Sequence, residues 1–220
     1  MGGAGEPGFS RKNERSCYFW EVRKGEATRE TILRHAVGLA SRVGFSGLSI
    51  GRLAQELDLS KSGLFSHFHS KEALQIQVLE YGAGRFVEGV VKPALAAPRG
   101  IPRVQALFDH WLTWSQSDPL SGGCFFVAMV TDLDDRPGPS RDLLVSLQRD
   151  WMGLLADLAR AVVREGQFRP DTDPEQFAYD MYGVMLAYHH GSRLLDDPAA
   201  ETRARRALCA LVDACRTADS

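Results

Sequence analysis

The chain has 220 residues, of which 25% are charged and 44% are hydrophobic, and these proportions are typical of a soluble globular protein. No apolar run approaches the roughly 20 residues that a membrane-spanning helix needs, and no apolar stretch near the amino terminus precedes a small-residue cleavage site. These features argue against a membrane or secreted protein, and we expect a cytoplasmic protein of one or two small domains.

The net charge is −2, but the charge is unevenly distributed. Residues 1–85 carry 12 Lys and Arg against 9 Asp and Glu, a net of +3, whereas residues 86–220 carry 14 against 19, a net of −5. A basic front and an acidic back favour a chain that meets phosphates at one end only. A difference of a few charges also arises by chance.

Residues 1–24 are rich in glycine and charge and show no clear hydrophobic period, which predicts a flexible amino-terminal arm. Its basic side chains could reach DNA phosphates, although a solvated tail is the simpler interpretation. The first helix is predicted from Ala27, and Gly44 is expected to end it.

The next segment predicts two short helices separated by a tight turn. Ser49 is a favourable N-cap for the first of them, and Asp58 stands where the chain must turn. Ser60 caps the second, which ends near Phe68, and Ser70 caps a longer helix after it. Two helices of about eight residues bury too little surface to stand alone, so we expect the helices on either side to support them.

The remainder of the chain also predicts helices. Pro93 is the first of three prolines that are expected to break the chain. Ser140 is expected to cap a long amphipathic helix that Gly166 ends, and Gln176 to close a capping box with Asp173. The apolar run 124–130 has no diagnostic period, but its context favours a helix. The predicted fold is all-α with about nine helices.

The segment from Leu48 to Leu74 is typical of a helix-turn-helix. A recognition helix in the major groove needs small or polar residues on its outer face, and residues 60–63 and Ser66 are of that kind. Leu64 and Phe68 are four residues apart and can face inward. Lys61 and Lys71 flank the motif and can meet phosphates.

The segment Thr28–Leu79 resembles the DNA-binding domain of the tetracycline-repressor (TetR-type) family. The resemblance is carried by residues 44–45, 53–54, 59–65, 67–68 and 70–74, in the family's order and spacing. It implies an arm at 1–24, a three-helix DNA-binding domain at 25–85 with its motif at about 49–68, and a helical bundle at 86–220 for effector binding and dimerisation.

The resemblance also implies a homodimer that binds double-stranded operator DNA, is held together by its last two helices and is usually a repressor released by a small molecule. The DNA-binding residues that it implies are Ser49, Ser60, Lys61, Ser62, Gly63, Phe65, His67 and Lys71. Phe65 stands where the family often has a tyrosine, so the phosphate contact of a hydroxyl is missing there. The three serines also have a sufficient role as helix caps, Gly63 could simply permit close approach, and Phe65 could belong to the core.

Several large rings in the second half could line an apolar effector pocket, although each could equally be ordinary core. The candidates are Trp111, Trp114, Phe125, Trp151 and Tyr182. The four cysteines fit no zinc pattern and are expected to be free thiols, with Cys124 as the candidate redox sensor if one exists. We expect no metal and no cofactor.

No catalytic signature is present: the chain lacks a nucleophile elbow, a phosphate-cradling glycine loop and a His-Glu metal motif. The sequence therefore predicts a non-enzymatic, ligand-responsive DNA-binding regulator. The alternative is a helical interaction or signalling protein that has lost specific DNA binding. The effector, the operator and the regulated genes cannot be deduced from the sequence.

Overall fold

The computed structural model describes the backbone of residues 11–117 and 120–217, and the side chains of those ranges from Thr28 onward. Within them all regular secondary structure is helical, apart from an isolated bridge between Phe168 and Arg216. The helices are α1 (Arg11–Gly47), α2 (Ile50–Glu56), α3 (Lys61–Phe68), α4 (Lys71–Phe86), a π-helical segment (Val87–Val91), α5 (Lys92–Ala96), α6 (Ile101–Ser115), α7 (Phe125–Leu133), α8 (Pro139–Arg164), α9 (Pro174–Arg193) and α10 (Ala200–Cys215). Residues 71–96 form one continuous rod, so the described residues contain nine rods and the predicted fold class is confirmed.

Helix α1 begins at Arg11, well before the predicted start at Ala27. The prediction that the first helix begins at Ala27 is therefore wrong. Residues 11–24 contain no glycine or proline and many straight-chain charged residues, which favour a helix. The glycines that suggested an arm lie in residues 1–10, outside the described residues, and the flexibility of the arm stays a prediction.

Gly44 interrupts α1, as expected from its position after the apolar stripe. Its φ of 66° lies in the region that favours glycine, and the chain then resumes a short helical turn through Gly47. A Cβ at this position would lie 3.1 Å from the carboxylate of Asp132, so both the backbone conformation and the close packing require a glycine.

The predicted helix-turn-helix forms from α2 and α3. Asp58 has a φ of 53° in the turn between them, and Leu64 and Phe68 are fully buried beneath α3. The predicted caps are also confirmed: the hydroxyls of Ser49, Ser60 and Ser70 each accept a hydrogen bond from a backbone N–H in the first turn of the next helix, at 3.0–3.1 Å.

Pro93 does not break the rod that begins with α4, contrary to the prediction. A proline lacks the N–H and its ring crowds the carbonyl four residues earlier, so it normally disrupts a helix. Here the π-helical segment Val87–Val91 widens the helix immediately before Pro93. The chain then stays helical to Ala96.

Two local predictions in the second half are wrong. The N-cap of α8 is Gly138, followed by Pro139 at the first helical position, whereas Ser140 is buried and donates a hydrogen bond to Gln75. Gln176 does not close a capping box, because its amide donates to Asp180 instead, although Asp173 caps α9 as expected.

The helices pack around one continuous hydrophobic core that includes residues from α1 to α10. Helix α7 packs along α1, α4 against α8, and α9 against both α8 and α10. The predicted boundary near residue 85 thus falls inside the rod that continues α4, and the division into 25–85 and 86–220 stays a prediction. No helix in the described ranges is both long enough and apolar enough to cross a membrane.

Candidate functional site

The outer face of α3 is small, polar and exposed. Lys61, Ser62 and Gly63 form its first turn, and all three are exposed. His67 is half-buried, with its ring 6.2 Å from that of Phe68. Because the opposite face of α3 is anchored in the core, this outer face is presented as a rigid surface.

The hydroxyl of Ser60 organises the start of α3. It accepts a hydrogen bond from the Gly63 N–H at 3.0 Å and lies 3.3 Å from the hydroxyl of Ser62. A Cβ on Gly63 would lie 3.0 Å from the same hydroxyl oxygen, so a larger residue would press on the cap. Gly63 therefore has an internal packing role as well as a low profile on the outer surface.

Lysines lie at both ends of α3. The side chain of Lys61 runs back towards α2, where a Cβ on Gly51 would lie 3.4 Å from its Cε. Lys71 is exposed in the first turn of α4, next to the Ser70 cap. Both ammonium groups flank helix N-termini, which also attract phosphate.

Phe65 is the large exposed hydrophobic residue of α3, with 53% of its surface accessible. The interpretation of Phe65 as a core residue is therefore wrong. A half-exposed ring between polar neighbours is free to pack against a partner molecule.

A polar cluster missed by the sequence reasoning fixes α2 against α1. The carboxylate of Glu56 lies 2.8 Å from His35 Nε2 and 3.0 Å from Arg52 Nε. The hydrogen bonds from His35 and then Arg52 lower the pKa of Glu56. The side chain of Arg52 is thereby fixed along α2 by Glu56. No sequence motif distinguishes the pair of Arg52 and Glu56 from other charged residues on a solvated helix.

A cavity of about 240 Å³ lies between the rod that continues α4 and helices α6–α9. Three of the five predicted pocket residues line it, namely Trp111, Trp151 and Tyr182. The other lining residues are Ala83, Phe86, Val87, Val91, Cys124, Phe126, Val127, Leu147, Gln148, Asp150 and Leu154.

Trp114 and Phe125 do not line this cavity. The Trp114 ring lies 5.5 Å from that of Phe86, on a side that faces a different surface depression. Phe125 is fully buried and meets Phe45 of α1 at 6.1 Å. The sequence showed that these rings are core-sized, but not on which side of their helices the cavity would open.

The polar groups of the cavity are few. The Tyr182 hydroxyl donates a hydrogen bond to Gln148 Oε1 at 3.3 Å. Burial, with a smaller contribution from Cys124, raises the pKa of Tyr182 to about 12, although the bond to Gln148 acts in the opposite direction. Burial also raises the pKa of the Cys124 thiol, which argues against a reactive thiolate.

Phe86, at the end of α4, is the centre of an aromatic cluster in the cavity wall. Its ring meets those of Trp151, Trp114 and Phe126 edge-on, at 5.0, 5.5 and 5.6 Å. Helix α4 begins at Lys71 beside α3, so one rigid element joins the motif to the cavity.

Helix α7 makes a second connection, which the sequence reasoning missed. Its start lies at the cavity through Phe126, and near its end Asp132 accepts a hydrogen bond from the Ser46 backbone N–H at 2.9 Å and contacts the Ser46 hydroxyl at 2.5 Å. Ser46 lies just before α2. In the sequence Asp132 is one of three aspartates in residues 132–135, a pattern that indicates only a solvated loop.

Comparison with known families accounts for both halves of this architecture. Residues 32–78 match the model for bacterial regulatory proteins of the tetR family, and residues 100–208 match the model for the tetracyclin repressor-like C-terminal domain. The chain belongs to the TetR family of transcriptional regulators. The resemblance inferred from the sequence is thus confirmed.

Individual relatives agree with this assignment. The chain is 27% identical over 182 residues to the HTH-type transcriptional repressor NicS of Pseudomonas putida, covering 78% of this chain and 80% of that protein. It is 36% identical over 56 residues to an uncharacterised HTH-type transcriptional regulator, YerO, of Bacillus subtilis, but that match covers only 19% of YerO. A TetR regulator structure from Chloroflexus aurantiacus has a TM-score of 0.76 and 25% identity, covering 87% of this chain and 95% of that one.

Proposed function

We propose that this TetR-family regulator is a repressor that binds operator DNA as a homodimer and leaves it when a small molecule occupies the cavity. Regulators of the family bind operator DNA as dimers and respond to small-molecule effectors. The residues proposed to contact DNA are those of the α3 surface and its flanks: Ser49, Ser60, Lys61, Ser62, Gly63, Phe65, His67 and Lys71.

The proposed division of labour follows the chemistry of these side chains. Ser62 and Gly63 lie on the exposed first turn of α3, which is the part of a recognition helix that approaches base edges. Lys61, Lys71 and the capped N-termini of α2 and α3 would meet phosphates. Phe65 would pack its exposed ring on the sugar-phosphate backbone without the hydrogen bond that a tyrosine would add.

The proposed dimer interface uses α9 and α10. Tyr179 and Leu186 are 69% and 39% exposed and lie seven residues apart, on one face of α9. Gly183 lies between them on the same face, and a Cβ there would meet no atom of this chain within 4 Å. An exposed apolar helix face with a glycine at its centre is suited to close packing against a second helix.

The observation that carries the proposal is that both walls of the cavity continue into the DNA-binding motif. Phe86 ends α4, which starts beside α3, and Phe126 lies in the first turn of α7, which holds Ser46 before α2. A ligand that displaces either wall would therefore reposition α3. It shifts the equilibrium only by its difference in affinity for the two states, typically about 1–3 kcal/mol of coupling.

The proposal also assigns no catalytic role to the chain. The polar groups that line the cavity, among the described residues, include no nucleophile paired with a base, since the Cys124 thiol is kept protonated and the phenol of Tyr182 is hydrogen-bonded to an amide. A regulator of bacterial genes would act in the cytoplasm, where its DNA lies.

The experiment is a mobility-shift titration of the full-length protein on the DNA upstream of its own gene, over a salt series with competitor DNA. We expect saturable binding that survives competitor and weakens steeply with salt, because lysine–phosphate contacts release counterions. Lys61→Ala should weaken it at least tenfold. Lys92→Ala removes the same charge from the distant α5, where the ammonium pairs with Glu88, and should leave it unchanged.

Binding that competitor removes completely, or that both lysine substitutions weaken equally, would contradict a specific α3 surface. That result, repeated with genome-wide selection of sites, would favour the interaction protein that has lost specific DNA binding.

A further inference from the structure

The cavity has a chemical character that narrows the class of its ligand. Five aromatic rings face it, those of Phe86, Trp111, Phe126, Trp151 and Tyr182. Its volume is about 240 Å³. Such a space suits a small planar molecule that stacks edge-to-face with the rings.

The charges around the cavity exclude an anion. Among the described residues that line it there is no lysine, arginine or histidine, and Asp150 contributes a carboxylate. Transfer of an anion from water into an apolar site without a cation costs several kcal/mol, and a neighbouring carboxylate raises that cost.

Two polar side chains of the cavity, Gln148 and Tyr182, meet where α8 and α9 face each other. The Gln148 Oε1 atom accepts the hydrogen bond of the Tyr182 hydroxyl at 3.3 Å. This bond fixes the amide with its NH₂ group as the group left to donate, and no acceptor within the described residues takes a bond from it. The NH₂ group of Gln148 is therefore available to donate a hydrogen bond to a ligand.

We propose that the effector is a small uncharged aromatic molecule with one hydrogen-bond acceptor, a carbonyl oxygen or ring nitrogen, that binds the side-chain NH₂ group of Gln148. This inference rests on the proposed function, since it describes the ligand of the same cavity. Gln148 selects the acceptor and the aromatic rings bind the flat body of the ligand.

The arrangement explains the role of Tyr182 as a positioning residue. Its phenol is protonated at physiological pH, as an ordinary tyrosine is, and burial raises its pKa further, to about 12. The hydroxyl therefore remains a donor and keeps Gln148 Oε1 turned towards α9. Tyr182→Phe would release the amide, which could then flip and present its oxygen to the ligand.

The test compares three singly substituted benzenes as probes by isothermal titration calorimetry on the full-length protein without DNA. Benzamide is uncharged and carries an acceptor, toluene lacks the acceptor, and benzoate carries a negative charge. We expect benzamide to bind about 2–12-fold more tightly than toluene, the ratio that one net hydrogen bond of about 0.5–1.5 kcal/mol gives. Benzoate should bind at least tenfold more weakly than benzamide.

Gln148→Leu keeps the bulk of the side chain but removes the amide. We expect it to abolish the preference for benzamide while toluene binds as before, which a merely structural role of Gln148 would not produce. Gln105→Leu, at an exposed position of α6 outside the cavity, should leave all three affinities unchanged. Tyr182→Phe should reduce the preference without abolishing toluene binding.

Three results would overturn the inference: benzoate as the tightest probe, equal affinities for benzamide and toluene in the unsubstituted protein, or no binding of any probe. None of them touches the mobility-shift result, which depends on α3 and not on the ligand. Failure of the ligand class and failure of operator binding are therefore distinguishable.

Discussion

Helices α4 and α7 both join the cavity to the DNA-binding motif, but they do so by different physical means. Helix α4 is a continuous rod of 16 residues, about 24 Å long, that carries Phe86 at one end and Lys71 at the other. Helix α7 reaches the motif through two side-chain contacts, Phe125 against Phe45 and Asp132 with Ser46. A displacement of Phe86 is carried along the backbone of α4 to Lys71. A displacement of α7 reaches Phe45 and Ser46 only while its side-chain contacts with them are intact.

The two connections also meet each other. Gly82 of α4 lies against Phe125, and a Cβ there would lie 3.0 Å from that ring. The two helices are therefore in close contact at this point. From this comparison we expect substitutions in α4 to change mainly the stability of the folded protein. We expect substitutions in α7 to change mainly the angle at which α2 and α3 are held.

The largest effect is expected from breaking the cavity end of α4. Phe86→Ala removes a ring that three other aromatic rings contact at 5.0–5.6 Å. We expect the free energy of unfolding to fall by about 3 kcal/mol, as for other large aromatic truncations. Denaturant unfolding at fixed protein concentration measures it. Val87→Ala, at a 40% exposed neighbouring position, should cost under about 1 kcal/mol, and equal losses for both would contradict the central role of Phe86.

A smaller effect is expected from breaking the α7 contact. Asp132→Ala leaves the Ser46 N–H without its acceptor, at a cost of about 1–2 kcal/mol. If that contact holds α2 in the DNA-binding orientation, operator affinity should fall about tenfold, as measured by fluorescence anisotropy. Asp134→Ala is the matched control, because among the described residues that carboxylate accepts a bond only from the N–H of Asp135. Unchanged affinity in Asp132→Ala would show that α7 does not support the motif.

The start of α4 offers a still smaller perturbation. Ser70→Ala removes the hydroxyl that accepts from the Ala73 N–H at 3.0 Å, which should destabilise the protein by about 1 kcal/mol. Ser146→Ala, on the exposed face of α8, should have no measurable effect in the same unfolding experiment. A loss in Ser70→Ala no larger than in Ser146→Ala would mean that the first turn of α4 is not fixed by its cap.

The effect expected from Tyr182, which faces the cavity from α9, away from both connections, appears only at high pH. Its pKa of about 12 in the folded protein exceeds the value of about 10 in an unfolded chain. Its contribution to stability is therefore complete below pH 10 and is lost as the pH rises towards 12. Tyr182→Phe should flatten this decline in unfolding experiments between pH 9 and 12, approximately the range of these two values. An unchanged slope would contradict the burial of the phenol.

The DNA-binding motif was predictable because its signals are local. Each cap, turn and buried position depends on residues within four places along the chain, as Ser60, Asp58 and Leu64 show. The exposure of Phe65 was also decided locally, because it lies about 60–100° around α3 from Phe68 and Leu64 and so falls outside their buried stripe. The sequence left this open because a phenylalanine is more often buried than exposed.

The cavity was only partly predictable because it depends on how distant helices face one another. Trp111 and Trp114 lie three residues apart, yet only the first lines the cavity. Phe126 lines it and Phe125 does not, and in a run without a diagnostic period nothing marks the difference. The contact between Asp132 and Ser46 spans 86 residues, so no spacing rule could reveal it.

The central claim is that occupation of the cavity and binding of DNA by α3 exclude each other. The most direct measurement fills the cavity with a side chain: operator affinity of Leu147→Trp, in which the indole extends from α8 into the space without touching the motif. The account predicts a folded protein whose operator affinity is at least tenfold weaker, whereas Leu95→Trp, at a 41% exposed position outside the cavity, binds as the unsubstituted protein does. A folded Leu147→Trp protein with full operator affinity would contradict it.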